Sequence, residues 1–491
     1  MGSEREMRRG DEITRADRAA GRAIEVAMAA HHRRRLRNLG HFERYAPPDD
    51  GRLWAAGDPP PRRGNEVRIL IDGAQALPEI ARVIGEARDH VHVAGWAVSP
   101  HFALTRDEPP LILRELLAEA AERVEVRVLL WAGAPPRTFA PDRRAVRASR
   151  DELMRGTRVR VALDARSRLL HCHHEKLVIV DGEVAFVGGI DLTQLAGDRY
   201  DTNLHPVRGH LGWHDAASRL RGPAVADVAG HFAARWSEVT GERIEAGRPA
   251  ETPAGDVEVQ VVRTLPERQY AFLPHGDFRI LEALIRGLRS ARRFVYLESQ
   301  FLWAPEVVDL LVAKLRDPPA DDFRVVIVLP ARANNGQEDT RGQLAVLAEA
   351  DAGANRVLAT TISARTGGTV ERVYVHAKIT IVDDRWMTIG SANINAHSLF
   401  NDSEMNIVTC DAALARDTRL RLWAEHLERD VSDVSGEPAE IVDALWRPIA
   451  REQLERARSG DLRTHRLIEL PPASRRLDRL LGPVDALVVD G

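Results

Sequence analysis

From Val67 to Trp236, short runs of β-branched and aromatic residues alternate with longer stretches whose apolar positions recur at helical spacing. VHVAGW (Val91–Trp96), VRVAL (Val159–Leu163) and LVIV (Leu177–Val180) are such strand-like runs. The pattern resumes at about residue 257 with FVYLE (Phe294–Glu298), VLATTIS (Val357–Ser363) and ITIV (Ile379–Val382). Strands alternating with amphipathic helices predict layered α/β structure. Between the two stretches, residues 237–256 are polar and rich in Gly and Pro, as a linker is. Residues 1–65 are rich in Arg and Pro with one helix expected near Arg15–Arg37, and residues 431–491 read as short helices and loops. The expected divisions are therefore 1–65, 66–236, 237–256, 257–430 and 431–491.

The two α/β stretches are copies. At an offset of about 202 residues, HHEKLVIVDGEVAFVGGID (His173–Asp191) lies on VHAKITIVDDRWMTIGSAN (Val375–Asn393). The same register brings VHVAGW close to FVYLE and VRVAL close to VLATTIS. One register relating several separated segments is the mark of a duplicated unit.

Each copy carries His-x-Lys-x4-Asp and then a small-residue pair: His174, Lys176, Asp181, Gly188, Gly189 and His376, Lys378, Asp383, Gly390, Ser391. Read as strands, these segments place His174 beside Lys176 and His376 beside Lys378 on one face. Asp181 and Asp383 fall where a hairpin turn closes, which makes them supports of the motif rather than proton carriers. Packed about a pseudo-two-fold axis, the copies bring two imidazoles and two ammonium groups into one cleft. That set suits a phosphodiester. Lysines offset charge on non-bridging oxygens, one histidine attacks phosphorus, and the other moves the proton of the leaving and entering alcohols.

Each histidine needs a carboxylate on its far ring nitrogen. Asp201, 27 residues after His174, and Glu404, 28 after His376, are the expected orienting acids. Asn393 and Ser391 follow the second motif, Asp191 the first, and Trp213-His214 lies beyond. These five are the expected phosphate and head-group contacts.

Composition sharpens this reading at one point. Lys+Arg total 69 against 73 Asp+Glu, a formal charge of −4, which argues against a nucleic-acid partner. Only three of those cations are lysine, Lys176, Lys314 and Lys378, and two occupy equivalent motif positions. Lys314 falls on an expected surface helix with no assigned role. Two cysteines exclude a disulfide scaffold, and the cluster HCHH (His171–His174) does not converge on an ion, because alternation turns His171 and His173 away from His174. No metal and no cofactor is expected. The charged first residues and the lack of a long apolar run predict a soluble, cytoplasmic monomer, peripheral at a membrane.

Two HxKxxxxD motifs in one chain resemble the phospholipase D superfamily, and HHEKLVIVDGEVAFVGGIDL resembles phospholipase D enzymes proper. LIDG (Leu70–Gly73), RYDT (Arg199–Thr202), WHD (Trp213–Asp215), LRGPA (Leu220–Ala224), YLESQF (Tyr296–Phe301) and GSANIN (Gly390–Asn395) extend the resemblance from Val67 onward. It implies two pseudo-symmetric α/β/α repeats, each a mixed sheet flanked by helices, around one shared site. It also implies hydrolysis of a phospholipid such as phosphatidylcholine to phosphatidic acid through a phosphohistidine, with water or another alcohol as acceptor. By the family pattern His174 is the nucleophile and His376 the acid/base. Ser299 and Ala396-His397 stand where relatives commonly carry Asn and Asp-Arg. A cardiolipin-synthase-type phosphatidyltransferase is the nearest alternative. A superfamily nuclease fits the charge less well, and a non-catalytic membrane scaffold would tolerate broken motifs.

Overall fold

The computed structural model describes residues 15–135, 140–168, 171–195, 197–245, 253–332 and 337–471. Parts of the expected linker and of the terminal stretches therefore lie outside the described residues. The first repeat contributes strands β1 (Arg62–Ile71), β2 (His90–Gly95), β3 (Glu125–Trp131), β4 (Arg160–Asp164), β5 (Leu177–Val180), β6 (Val184–Gly188) and β7 (Ala216–Arg221). The second contributes β8 (Val257–Leu265), β9 (Phe294–Glu298), β10 (Arg324–Val328), β11 (Val357–Thr361), β12 (Ile379–Val382), β13 (Trp386–Gly390) and β14 (Glu404–Thr409).

Their order in one sheet is β11-β10-β9-β12-β13-β14-β8-β1-β7-β6-β5-β2-β3-β4, a palindrome about the β8–β1 junction. Each strand of the first repeat thus has its counterpart seven strands on. Within each half, β2, β3 and β4, or β9, β10 and β11, run parallel, and the remaining pairs are antiparallel. The halves meet through antiparallel β1 and β8, whose register slips between Arg62 and Asn65. The result is a mixed α/β architecture, with β1 beginning at Arg62, slightly ahead of the boundary expected from the pattern.

Period-two alternation assigns the two faces of the sheet. Leu177 and Ile179 of β5, with Ile379 and Ile381 of β12, enter one core that spans both repeats. The helices Val225–Thr240 and Ala412–Leu427 cover it with Phe232, Trp236 and Trp423. Val178 and Val180 face the opposite way, onto the helices Gly73–Gly85 and Leu113–Ala121. Val295 and Leu297 of β9 meet Arg279–Ser290 and Pro305–Arg316 likewise.

The helix Arg15–Asn38 lies on the second repeat, where His32 Nδ1 is 2.8 Å from Glu306 Oε1 and Arg35 donates to Glu267 Oε2 at 2.6 Å. Near the chain's other end, Ile468–Glu469 adds to the edge of β11.

Lys314 is not on open surface. It is half-buried, and its Nζ donates to the carbonyls of Arg289 (3.0 Å) and Ala291 (2.8 Å). It therefore caps the end of the helix Arg279–Ser290.

Candidate active site

The hairpins β5–β6 and β12–β13 carry the two motifs. Both turns place two consecutive residues in the left-handed region, Asp181 (φ 57°) with Gly182 (φ 65°) and Asp383 (φ 53°) with Asp384 (φ 53°). This is the tight turn that follows the twist of paired strands, and Asp is among the few side chains that enter it at low cost. Asp181 accepts the backbone N–H of Arg88, Asp89 and His90 at 2.8–3.1 Å. Asp383 accepts those of Arg292, Arg293 and Phe294 at 2.7–2.8 Å. Each aspartate thus clamps the start of the neighbouring strand, β2 or β9, at the far end from the histidines.

The His-x-Lys segments precede β5 and β12 instead of lying within them, as the periodicity had suggested. Their backbone is held by the opposite repeat. The N–H of His174 donates to Ser403 O (2.9 Å) and that of His376 to His214 O (2.8 Å). This exchange draws the imidazoles together, with ring centroids 6.4 Å apart and planes inclined at 72°. His174 and His376 are 1% and 4% exposed. Lys176 Nζ donates to His174 O at 2.6 Å, and Lys378 makes the equivalent bond to His376 O.

The carboxylates are exchanged as well. His174 Nδ1 lies 3.0 Å from Glu404 Oε1, and His376 Nδ1 lies 2.6 Å from Asp215 Oδ2. Glu404 belongs to the second repeat and Asp215 to the first, so each histidine is oriented by the other copy. Asp201 touches neither. It accepts a hydrogen bond from Arg208 at 3.0 Å and lies 3.3 Å from His205 Nδ1. The near-equal spacings that suggested it are coincidental, because the first repeat carries extra residues between β6 and β7. Sheet register supplies the true equivalence: Gly188 pairs with Ala217 and Gly390 with Asn406, each two residues past its acid. Asp215 was visible in Trp213-His214-Asp215 but had no register to place it.

The other expected contacts also sort differently. Ser391 donates to Glu404 Oε2, and Ser398 donates to Glu404 Oε1 at 2.6 Å. Asp191 pairs with Lys176 Nζ at 3.0 Å, and its Oδ1 accepts no hydrogen bond. Asn393 donates to Gln300 Oε1 at 3.2 Å, and Gln300 donates to the Tyr374 hydroxyl at 2.8 Å. Trp213 packs edge-on against His376 at 4.7 Å beneath the Arg199 guanidinium, 3.3 Å from its ring centre. His214 does not face the histidines, and only its carbonyl reaches them. Of the HCHH cluster, His173 turns inward to Ser403 Oγ (2.8 Å) and Asp164 (3.1 Å).

Burial sets the protonation of the site. It raises Asp215 to about 6 and Glu404 to about 8, against the pull of Lys378 and Lys176 respectively. His376 is driven well below its usual range, first by burial and then by Lys378, Arg199, Lys176 and His174.

Beneath His376 lies a second buried cluster that the sequence reading missed. His214 bonds Asp72 (3.0 Å) and Glu298 (2.9 Å), while His205 Nε2 lies 3.0 Å from Glu425 Oε1 and 3.4 Å from Asp72 Oδ2. Donor atoms of Asp72, His205, His214 and Glu425 all fall within 4.8 Å of one another, a set able to hold a divalent cation. These residues span four elements, so only topology collects them.

A family model described as "Phospholipase D" matches residues 83–212, and one described as "Cardiolipin synthase, PLD-like domain" matches residues 284–424. The chain is 26% identical over 464 residues to "Phospholipase D A" of Dictyostelium discoideum, covering 75% of this chain and 36% of that protein. It is 26% identical over 362 residues to the "Major cardiolipin synthase ClsA" of Bacillus subtilis, covering 72% and 67%. The chain spans about a third of the length of the first curated relatives it matches. The solved phosphatidylserine synthase of Haemophilus influenzae Rd KW20 superposes with a TM-score of 0.49 at 12% identity, covering 72% of this chain and 84% of that one. With one such model on each motif-bearing half and phospholipases D among its relatives, the chain belongs to the phospholipase D superfamily and stands close to phospholipase D.

Proposed function

We propose that the chain is a phospholipase D-type phosphodiesterase. It hydrolyses a glycerophospholipid such as phosphatidylcholine to phosphatidic acid and the head-group alcohol, with transfer when another alcohol is present. The observation that carries this reading is the pairing of His174 and His376 at 6.4 Å, each backed by a carboxylate of the other repeat and flanked by a lysine.

His174, as the resemblance implies, attacks phosphorus to form an N–P bond, while the P–O bond to the head group breaks and its oxygen takes a proton from His376. Water or an alcohol then gives its proton to His376 and displaces His174 from phosphorus. Lys176 and Lys378 offset charge on the non-bridging oxygens. The cations that lower the proton affinity of His376 are those a bound phosphodiester neutralises, so substrate arrival favours the protonated imidazole this step needs. Asp181 and Asp383 act as strand clamps, and Asp215 and Glu404 as orienting acids. Residues 66–236 and 257–430 work as one catalytic unit, a cytoplasmic monomer acting at a membrane surface. No helix among the described residues is long and apolar enough to cross one.

A phosphatidyltransferase of cardiolipin-synthase type is the second reading, favoured by the model matched at residues 284–424. Incubation with vesicles of mixed phospholipids, with and without ethanol, separates the two. Phosphatidic acid and phosphatidylethanol are expected. Cardiolipin formed from phosphatidylglycerol supports the second reading, and cleavage of DNA with no lipid product overturns both.

A further inference from the structure

The repeats also meet ahead of the motif histidines. His171 Nδ1 lies 3.1 Å from His397 Nδ1 and 3.4 Å from Asp402 Oδ1. Asp402 Oδ2 lies 3.9 Å from His397 Nδ1, and the three residues' donor atoms fall within 4.8 Å of one another. His397 and Asp402 are fully buried, while the His171 side chain keeps 14% exposure. Asp402 Oδ1 already accepts the Cys172 N–H at 2.8 Å. Its Oδ2, equally buried, accepts no hydrogen bond. Two ring nitrogens facing each other at 3.1 Å share at most one proton, and that proton leaves this oxygen unmatched.

We propose that His171, His397 and Asp402 form a binding site for a divalent cation of borderline softness, such as Zn²⁺, that ties the two repeats together. Two imidazole nitrogens and one carboxylate oxygen suit zinc-like ions better than Mg²⁺ or Ca²⁺, which prefer oxygen alone. Ligand atoms about 2.0–2.1 Å from a tetrahedral ion stand roughly 3.3 Å from each other. The 3.1 Å between the two nitrogens is close to that edge. Asp402 lies 3.4 Å from His171 through Oδ1 and 3.9 Å from His397 through Oδ2, and a rotation of its carboxylate brings Oδ2 to an ion held by both. The fourth position opens on the side of His171, the one ligand that keeps some exposure, where water completes the set.

The site joins the segment that continues into His174 to the one that continues into Glu404, so the ion braces the pair His174–Glu404 without touching it. The HCHH cluster concealed it. His171 finds its fellow ligands in the other repeat, not among its neighbours.

The test uses the full chain, stripped with a chelator and titrated with Co²⁺ as a visible probe, with bound equivalents counted by elemental analysis. The cluster of Asp72, His205, His214 and Glu425 is present in every variant, so the readout is the difference. His171→Gln and His397→Gln are each expected to lose one equivalent relative to the unaltered chain. His397→Cys is expected to keep it and to add a sulfur-to-cobalt band in the near ultraviolet. Equal stoichiometry in the unaltered chain and His171→Gln, a change at the least buried of the three ligands, overturns the proposal. So does a His397→Cys chain that binds cobalt without the sulfur band.

Discussion

The two half-sites share a backbone plan and differ in charge. In the first, His174 meets Glu404, a carboxyl that burial raises to about 8 and that Ser391 and Ser398 also bond. In the second, His376 meets Asp215 at 2.6 Å, raised only to about 6. Lys176 is matched by Asp191, whereas the residue equivalent to Asp191 beside Lys378 is uncharged Asn393. Of the two carboxyls, Glu404 therefore holds its proton to higher pH than Asp215. Both acids are fully buried, so the difference comes from their charged neighbours: Lys378, Arg199 and His214 pull on Asp215, whereas at Glu404 the pull of Lys176 is opposed by Asp402.

The comparison is broken most sharply at the histidines. His174→Ala and His376→Ala are each expected to lower choline release by about 10⁴-fold or more with unchanged circular dichroism. With phosphatidyl-p-nitrophenol, whose p-nitrophenolate head group leaves without an acid, His376→Ala should still give a burst and a trapped phosphatidyl-enzyme, and His174→Ala neither. The reverse pattern would exchange their roles. Next come the acids. Asp215→Asn should cost about 10²-fold or more at pH 7, since it removes an anion. Glu404→Gln should cost less, within about 10-fold, because the Glu404 carboxyl gives up its proton at higher pH than Asp215 and glutamine copies its neutral form. Equal losses would erase the asymmetry.

The pH profile follows from the same acid. Asp215 takes up a proton as pH falls through about 6 and can then no longer steady an imidazolium at His376, so kcat/KM should decline below that point.

Smaller effects test the packing. A Cβ at Gly189 would fall on the Asp215 carboxylate, whereas Ser391, its equivalent, bonds Glu404. Gly189→Ser should cost about 1–3 kcal/mol in chemical denaturation and Ser391→Gly about 1 kcal/mol. Smallest of all, Lys314→Met should remove about 1 kcal/mol of stability by uncapping Arg279–Ser290, with turnover unchanged.

The duplication, the strands and the two motifs were legible because β-branched runs and five repeated chemical positions are local in the chain. The partners of those positions were not. Asp215 was displaced from the expected spacing by residues inserted between β6 and β7, and Asp201 fell into the gap it left. Lys314 resembled a surface lysine until the tertiary fold laid it over a helix end. Asp72 and Glu425 lie far in sequence from His205 and His214, with no common spacing. Whatever is made by sheet register or by contact between repeats is written in the pairing of distant segments, which no window along the chain can read.

The reciprocal bonds that hold the motifs, His174 to Ser403 and His376 to His214, have a bearing on ancestry. Each half lends its backbone carbonyl and its acid to the other, as two subunits do across an isologous interface. The chain has the form of a symmetric homodimer whose copies were later joined and allowed to diverge. Cut between the helix ending at Thr240 and the strand beginning at Val257, it should give two fragments, each with a complete HxKxxxxD motif and half of each histidine–acid pair, and the proposed activity is expected only when the two are mixed.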